Sequence, residues 1–436
     1  MHHHPTAPTQ QPFPISIGIE GTFAPQSGKD TLASTGHYEN DQWRQDFALV
    51  AELGIRQFRY AIPWHRIEQE RGAYDWRLLD QMIPYIYDEL GLAIIADPLH
   101  HTSYPRWLQQ GFLEPVFSRL YTAFVTAFAE HYPCVAVYTP FNEPTCTLDF
   151  CGFRGFWHPY QTGDHSYVTM LRHTANAASQ VAQRLKQRNP TTQIIHVDTF
   201  EHHQALDGQS AARATFLNER RFLFEELLTG LVGPTHPLYE YLLAHGFPQD
   251  ELAWFQAHPA SIDQRYGNYY PLNEEQLLNG QTHHAPSRDP KGFAGVTLDY
   301  AQRLPYPLSL GETNIQGTIY DRISWLKYML EQAEQLRDRH GVTLQEFVWY
   351  PLFDCAGWRV LLQGEDWPRD PQGIFLCDER WQRCGSELSV IYQRLVQGAS
   401  SADIPAYHFG PAHTQSLGAL MQQMVWNWQE QPFVTA

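Results

Sequence analysis

The sequence contains no apolar run of 18 residues or more, the length a transmembrane helix needs, so no membrane span is expected. Its first residues, MHHHPTAPTQQPFP, lack the basic-then-apolar order of a secretory leader. The three histidines read as a tag-like or disordered start over 1–12. A metal site there is not expected, because a flexible terminus does not preorganise ligands. Basic residues are outnumbered: 30 Lys and Arg stand against 47 Asp and Glu, a net charge of −17 with His neutral. That balance argues against nucleic acid or an anionic membrane as partner. Cysteine is sparse, with six residues and no CxxC pair, which excludes the common zinc modules. With no export signal, reduced thiols in the cytoplasm are expected, and Cys146 and Cys151 are not expected to form a disulfide. No GxGxxG turn follows an early strand, which disfavours an open, doubly wound sheet. Neither an internal repeat nor a clear linker interrupts 13–397.

Aromatic residues are plentiful, with 13 Trp, 23 Tyr and 24 Phe. Ordinary core packing accounts for most of them, and the excess suits a site where flat rings meet sugar faces. Eight short β-rich runs recur along the chain, at 13–21, 57–64, 92–100, 134–144, 193–200, 262–270, 307–314 and 345–353. Helical patterns lie between most of them. In NDQWRQDFALVAELG, residues 40–54, apolar side chains recur at three and four spacing and Gly54 closes the pattern. Eight β runs alternating with helices predict an α/β fold, a (β/α)8 TIM barrel over 13–397. The longest insertions fall at 201–260 and 271–303. The tail 398–436 carries no readable pattern.

In such a barrel the C-terminal strand ends build the site. The fourth run, VAVYTPFNEP, ends on Asn142 and Glu143, and the seventh, LSLGETN, carries Glu312. Read as a strand, the fourth run delivers Asn142 and Glu143 to the mouth by alternation, with Pro144 forcing the chain out of the sheet. Barrel closure sets strands four and seven on opposite sides of one mouth. Two facing carboxylates are the equipment for glycoside hydrolysis: one protonates the leaving oxygen, and the other attacks the anomeric carbon or activates water. Asn142 suits a hydrogen bond to the sugar 2-hydroxyl.

Several motifs then resemble those of glycoside hydrolase family 1, in the same order along the chain. YTPFNEP (138–144) resembles its TFNEP, FRYAIPWHRI (58–67) its RFSISWPRI, and LHHTSYPRWL (99–108) its LHHFDLPxWL. CGFRGFWHPY (151–160) is similar to its loop ending in APG. YGNYY (266–270) is similar to its GxNYY, VWYPLFDCAGW (348–358) to its WSLLDNFEW, and PQGIFLCDERWQRC (371–384) to its closing strand. The resemblance implies a retaining β-glycosidase acting on a carbohydrate or glycoside, with no cofactor and no metal. It implies Glu143 as acid/base and Glu312 as nucleophile, about 5–5.5 Å apart. It further implies Arg59 beside Glu312, Tyr270 bonded to it, and substrate contacts from His101, Asn142, Asn268 and Trp358.

Three departures stand out. Gly18 replaces the family's strand-one Gln and Gly357 its NFEW Glu, both sugar-binding positions, so an unusual or substituted sugar is expected. The family Trp of strand eight aligns with Tyr350, while Trp349 lies one place earlier. Alternation admits only one of the two to the interior. Transglycosylation through the same two Glu residues, and a catalytically silent glycan- or protein-binding barrel, remain open alternatives. The oligomeric state has no signature in the sequence.

Overall fold

The computed structural model describes residues 13–283, 290–357, 369–410 and 434–435. Eight parallel strands form a closed barrel: β1 (Ile15–Ile19), β2 (Gln57–Ala61), β3 (Ala93–Asp97), β4 (Val137–Tyr138), β5 (Gln193–Thr199), β6 (Gln264–Asn268), β7 (Leu308–Glu312) and β8 (Phe347–Trp349). β1 pairs with both β2 and β8, which closes the ring. The chain is thus a (β/α)8 TIM barrel.

Alternation sorts the side chains. Ile95, Val137, Ile195, Val197, Tyr266 and Val348 meet in a small cluster of their own, filling the barrel interior. Their strand neighbours Phe58, Tyr60, Ile94, Phe347 and Trp349 point outward into the larger core beneath the helices. That core is laid down by helices with apolar stripes at three and four spacing. In α1 (Gln42–Glu52) the stripe is Trp43, Phe47 and Val50. In α2 (Phe117–His131) it is Phe117, Tyr121, Phe124 and Phe128. Among the described residues, no helix is long and apolar enough to cross a membrane.

The fourth run departs from its expected form. β4 is only two residues long. Pro140 has no N–H for the ladder, and beyond it pairing survives as single bridges from Asn142 to His100 and Val197. Glu143 then adopts a left-handed conformation, φ 46° and ψ 57°, and Pro144 is the first residue of the short helix α3 (Pro144–Leu148). Glu143 therefore reaches the mouth on a turn, not by strand alternation. Proline at the first helical position loses no bond there and has φ already set for a helix. β8 also stops early, just before the Tyr350–Pro351 step.

Two insertions meet beside the mouth. The strand His202–Ala205 pairs in parallel with Glu274–Leu278, which pairs antiparallel with Gln281–His283. Across the barrel's outside, residues 398–410 run along α5 (Ile319–His340), where Lys327 donates to the carbonyl of Ser401 and Gly410 to Asp321; α4 (Asp164–Arg188) packs against α2. The start 1–12, Trp358 and residues 411–433 lie outside the described residues.

The β5–β6 seam is tight. A Cβ added to Gly267 would lie 2.3 Å from the Phe200 ring, itself stacked 3.9 Å from Tyr300. Gly267→Ala is expected to cost about 1–3 kcal/mol by overpacking. A urea denaturation midpoint unchanged from the parent would contradict this packing.

Candidate active site

Midway along β2 sits Arg59, 1% exposed. Its Nη1 lies 2.6 Å from Glu312 Oε1, its Nη2 2.9 Å from Asp97 Oδ2, and the same Nη2 donates to Asn142 Oδ1 at 2.5 Å. One guanidinium thus ties together the ends of β3, β4 and β7. Burial opposes its charge, but Glu312 and Asp97 outweigh that and push its pKa further up. The planar, forked donors of arginine suit several acceptors at once, which lysine could not serve.

Each carboxylate has its own setting. Glu312 ends β7, with Oε1 on Arg59 and Oε2 accepting a 2.6 Å hydrogen bond from the Tyr270 hydroxyl. Glu143 has no cation in hydrogen-bond contact. Its Oε1 accepts from Asn268 Nδ2 at 2.7 Å and its Oε2 from the Cys146 thiol at 3.3 Å. Burial, reinforced by the neighbouring Glu312 charge, pushes the Glu143 carboxyl up to about 8. It therefore holds its proton at neutral pH. The left-handed backbone of Glu143 is anchored through its N–H to the Val197 carbonyl. Asp198 steadies the next turn, accepting from Thr145 N–H at 3.0 Å and Thr145 Oγ1 at 2.7 Å.

The histidine pair of LHHTSYPRWL splits into two states. His100 lies between Asp97, at 2.7 Å, and Glu20, at 3.4 Å. Burial opposes its charge, but these two carboxylates push its pKa up to about 10. His101 is kept neutral, first by burial and then by the charge on His100. Since Asn142 Oδ1 accepts from Arg59, its Nδ2 donates to His101 Nε2 at 3.1 Å. His101 Nδ1 must then carry the proton, donated to Thr147 Oγ1 at 2.7 Å.

Gly18 has a visible reason to be glycine. A Cβ there would lie 2.2 Å from Tyr350 Cδ2, so the Tyr350 ring occupies the space a side chain at position 18 would need. The Tyr350 hydroxyl donates to the Ile19 carbonyl and accepts from His100 Nε2 at 3.1 Å. Glu20, two residues along the same strand line, lines the mouth. Burial would raise its pKa, but His100 outweighs that and brings it down to about 2. Its Oε1 is bound by Thr22 N–H and Thr31 Oγ1. Its Oε2 makes no hydrogen bond within the described residues.

The open volume between these groups is a cavity of about 480 Å³, within the usual range for a small-molecule site. Of the residues singled out from sequence, Glu143, Glu312, Tyr270 and Tyr350 line it. Arg59, Asn142, His101 and Asn268 stand one layer back and hold the carboxylates or one another. Trp349 does not face the cavity: its backbone and Nε1 bond to Tyr392 and the Gln372 carbonyl in the outer core, so the interior position belongs to Tyr350. Trp358 lies outside the described residues. Gly357 is buried. Reading strand ends for motif residues alone missed Asp97, His100 and Asp198, although each falls within the last four residues of a predicted β run.

Among the described residues, His101, Glu143 and Cys146 bring possible metal-ligand atoms within 4.8 Å of one another. Those atoms are already used: His101 Nε2 accepts from Asn142, and the Cys146 thiol proton is directed at Glu143. The arrangement suits two carboxyl groups held in unlike settings across a cavity.

Comparison with known proteins adds two findings. The family model Glyco_hydro_42, beta-galactosidase, matches residues 35–150, a segment that ends just beyond Glu143. Two curated proteins also match over short stretches. Beta-galactosidase Bga of Halorubrum lacusprofundi is 33% identical over 73 residues, which are 16% of this chain and 10% of that protein. Beta-galactosidase BgaH of Haloferax lucentense is 34% identical over 74 residues, 16% of this chain and 11% of that protein. The chain thus matches only about a tenth of the length of these relatives. Among solved structures, a beta-glucosidase from Thermotoga maritima in complex with glucoimidazole superposes with a TM-score of 0.75 at 14% identity, covering 90% of this chain and 98% of that one. The family 1 beta-glucosidase from the same organism superposes at 0.73 and 15% identity, covering 90% and 99%. This structural likeness is one of fold. The sequence matches and the fold matches both lead to glycosidases, but they do not single out the family 1 assignment suggested by the motifs.

Arg59 is the test of how the site is held. Arg59→Met leaves Glu312 buried without a cation and Asp97 with His100 alone, and a loss of about 3–5 kcal/mol is expected. The check is chemical denaturation, and a loss below about 1 kcal/mol would contradict the arrangement.

Proposed function

We propose that the protein is a retaining β-glycosidase, with Glu143 as acid/base and Glu312 as nucleophile. The observation that carries this reading is the unequal treatment of the two carboxyl groups. Glu143 is buried beside another negative charge and holds its proton, while Glu312 rests on Arg59 and Tyr270. Separated protonation states assign the acid and the nucleophile.

In the first step Glu143 gives its proton to the glycosidic oxygen as the C–O bond breaks. A Glu312 oxygen forms an ester bond to the anomeric carbon. Glu143, now a carboxylate, takes a proton from water as that water attacks the same carbon, which releases the sugar and regenerates Glu312. A sugar acceptor in place of water would give transglycosylation from the same intermediate. Asn142, bonded to Arg59 and His101 behind the cavity wall, orients His101 in this reading and does not itself line the cavity. The two carboxyl groups supply the proton transfer and the nucleophile, so the mechanism requires no metal or organic cofactor.

The sugar in the first subsite is the finer part of the proposal. With Gly18 and Gly357 in place of polar side chains, the Gln and Glu contacts of family 1 are missing. Glu20 is the charged acceptor left on that wall. This supports a glycone bound through fewer hydroxyl contacts than an ordinary glucoside or galactoside, one that is substituted or deoxygenated. The names of the similar proteins leave beta-galactosidase and beta-glucosidase activity side by side. The six free cysteines fit a reducing, cytoplasmic setting.

Labelling by 2-deoxy-2-fluoro glycosides, followed by peptide mass analysis, tests the nucleophile. Modification of Glu312 is expected; modification of another residue, or none across a broad sugar panel, would contradict the reading. The acid/base is tested by pH. With a carboxyl pKa near 8, kcat/KM is expected to fall as pH rises through about 8, because the acid has lost its proton. Glu143→Ala is expected to lower kcat/KM by about 10²–10⁴-fold on unactivated glycosides. With a dinitrophenyl leaving group, which needs no acid, the variant's alkaline limb is expected to disappear. An unchanged limb would assign it elsewhere.

A further inference from the structure

Glu143 has two neighbours whose chemistry the proton transfer does not use. Its Oε2 faces the Cys146 thiol at 3.3 Å and His101 Nε2 at 3.6 Å. These three atoms, a sulfur, a nitrogen and an oxygen, all lie within 4.8 Å of one another. Local folding brings them together. Glu143 caps α3 and Cys146 stands three positions on, in its first turn, the spacing that shares a helix face. His101 follows β3 and, like Glu143, leaves its strand end through a left-handed turn, with φ 53° against 46°.

The distances are those of a coordination shell. A tetrahedral zinc with ordinary bonds to sulfur, nitrogen and oxygen sets its ligand atoms about 3.4–3.6 Å apart. Two edges of the triangle, at 3.3 and 3.6 Å, already match within a few tenths of an ångström. The third, from Cys146 Sγ to His101 Nε2, is no longer than 4.8 Å.

The imidazole is prepared as a ligand. Its proton sits on Nδ1 and is donated to Thr147 Oγ1 at 2.7 Å. Metal-bound histidines use the same outer hydrogen bond to fix their tautomer. The contacts an ion must displace are weak ones: a thiol donating to a carboxyl, and a neutral amide of Asn142 at 3.1 Å. Asn142 keeps its bond to Arg59 when that amide turns aside. Glu143 and Cys146 line the cavity, so an ion reaches them from solvent, and the cavity supplies water to complete four ligands.

The donor set selects the ion. Sulfur and imidazole favour zinc and its softer congeners over magnesium and calcium, which take oxygen. Charge agrees. Binding releases one proton from the Cys146 thiol and one from the Glu143 carboxyl, and the resulting thiolate and carboxylate balance a divalent ion, with His101 neutral.

We infer that His101, Glu143 and Cys146 form an inhibitory site for a thiophilic divalent cation such as Zn²⁺. The ion holds Glu143 as a bound carboxylate, with no proton to give the leaving group. Binding stands on the geometry alone; the loss of turnover rests on the glycosidase reading above.

The test titrates metal-free enzyme with Zn²⁺, Cd²⁺ and Mg²⁺ during turnover of an accepted glycoside. Zn²⁺ and Cd²⁺ are expected to inhibit, with EDTA restoring the rate, and Mg²⁺ to leave it unchanged. Each variant is compared with its own metal-free rate. Cys146→Ala is expected to raise the half-inhibitory Zn²⁺ concentration about 100-fold, since losing even a hydrogen-bond partner of a ligand costs about 10–100-fold in metal affinity. Cys146→Ser, which keeps a donor toward Glu143 but removes the sulfur, is expected to do the same. Binding is read separately from the ultraviolet cadmium–thiolate band, in a chain carrying Cys134→Ser and Cys384→Ser so that the two exposed thiols do not contribute. The band is expected to appear, and to vanish when Cys146→Ser is added. An uninhibited parent, an unchanged half-inhibitory concentration in the Cys146 variants, or a band that survives them would overturn the inference. Failure of the underlying glycosidase reading has a different signature: no turnover of any glycoside before metal is added, with the Cys146-dependent band intact.

Discussion

The ion pair between Arg59 and Glu312 is the contact on which the mouth of the barrel depends. Both side chains are nearly sealed from water. Burying either alone would be costly, and burying them together is tolerable only if the remaining donors also find acceptors. Arg59 meets that condition with Asp97 and Asn142. The same guanidinium therefore fixes three strand ends relative to one another. Orienting Asn142 then orients His101, and so the proton on that ring. A change at Arg59 would be felt at every other polar group of the site.

From that contact a line of alternating charge runs across the mouth. Glu312, Arg59, Asp97, His100 and Glu20 follow one another within 2.6–3.4 Å. Each member lies beside a partner of opposite sign, which is how so many ionised groups remain buried. Glu143 is left out of the line. It receives only neutral donors, an amide and a thiol, and shares the cavity with the charge of Glu312. Burial, with no cation in contact to offset it, is what keeps its proton, and that sets two chemically identical side chains apart.

Much of this was legible in the sequence, and the failures have physical causes. The barrel followed from eight β runs alternating with amphipathic helices, a pattern that local periodicity carries. Glu143 and Glu312 were legible as residues closing β runs. What misled was the fourth run: its apolar stretch read as a long strand, yet its prolines leave only Val137–Tyr138 in the ladder and a left-handed Glu143 beyond. The ambiguity between Trp349 and Tyr350 needed register, because one residue of slip exchanges the inner and outer faces. Gly18 looked like a missing sugar contact. In the folded chain it is also a space filled by the ring of Tyr350, just past a strand more than 300 residues away, a contact no local pattern records.

The central claim is that two unequal carboxyl groups, one on Arg59 and one kept apart from it, break a glycosidic bond by double displacement. Proton NMR of the first sugar released from an accepted β-glycoside tests it most directly. The account predicts that the β-anomer appears first and then mutarotates. Initial release of the α-anomer would mean a single displacement by water, and would contradict the role given to Glu312.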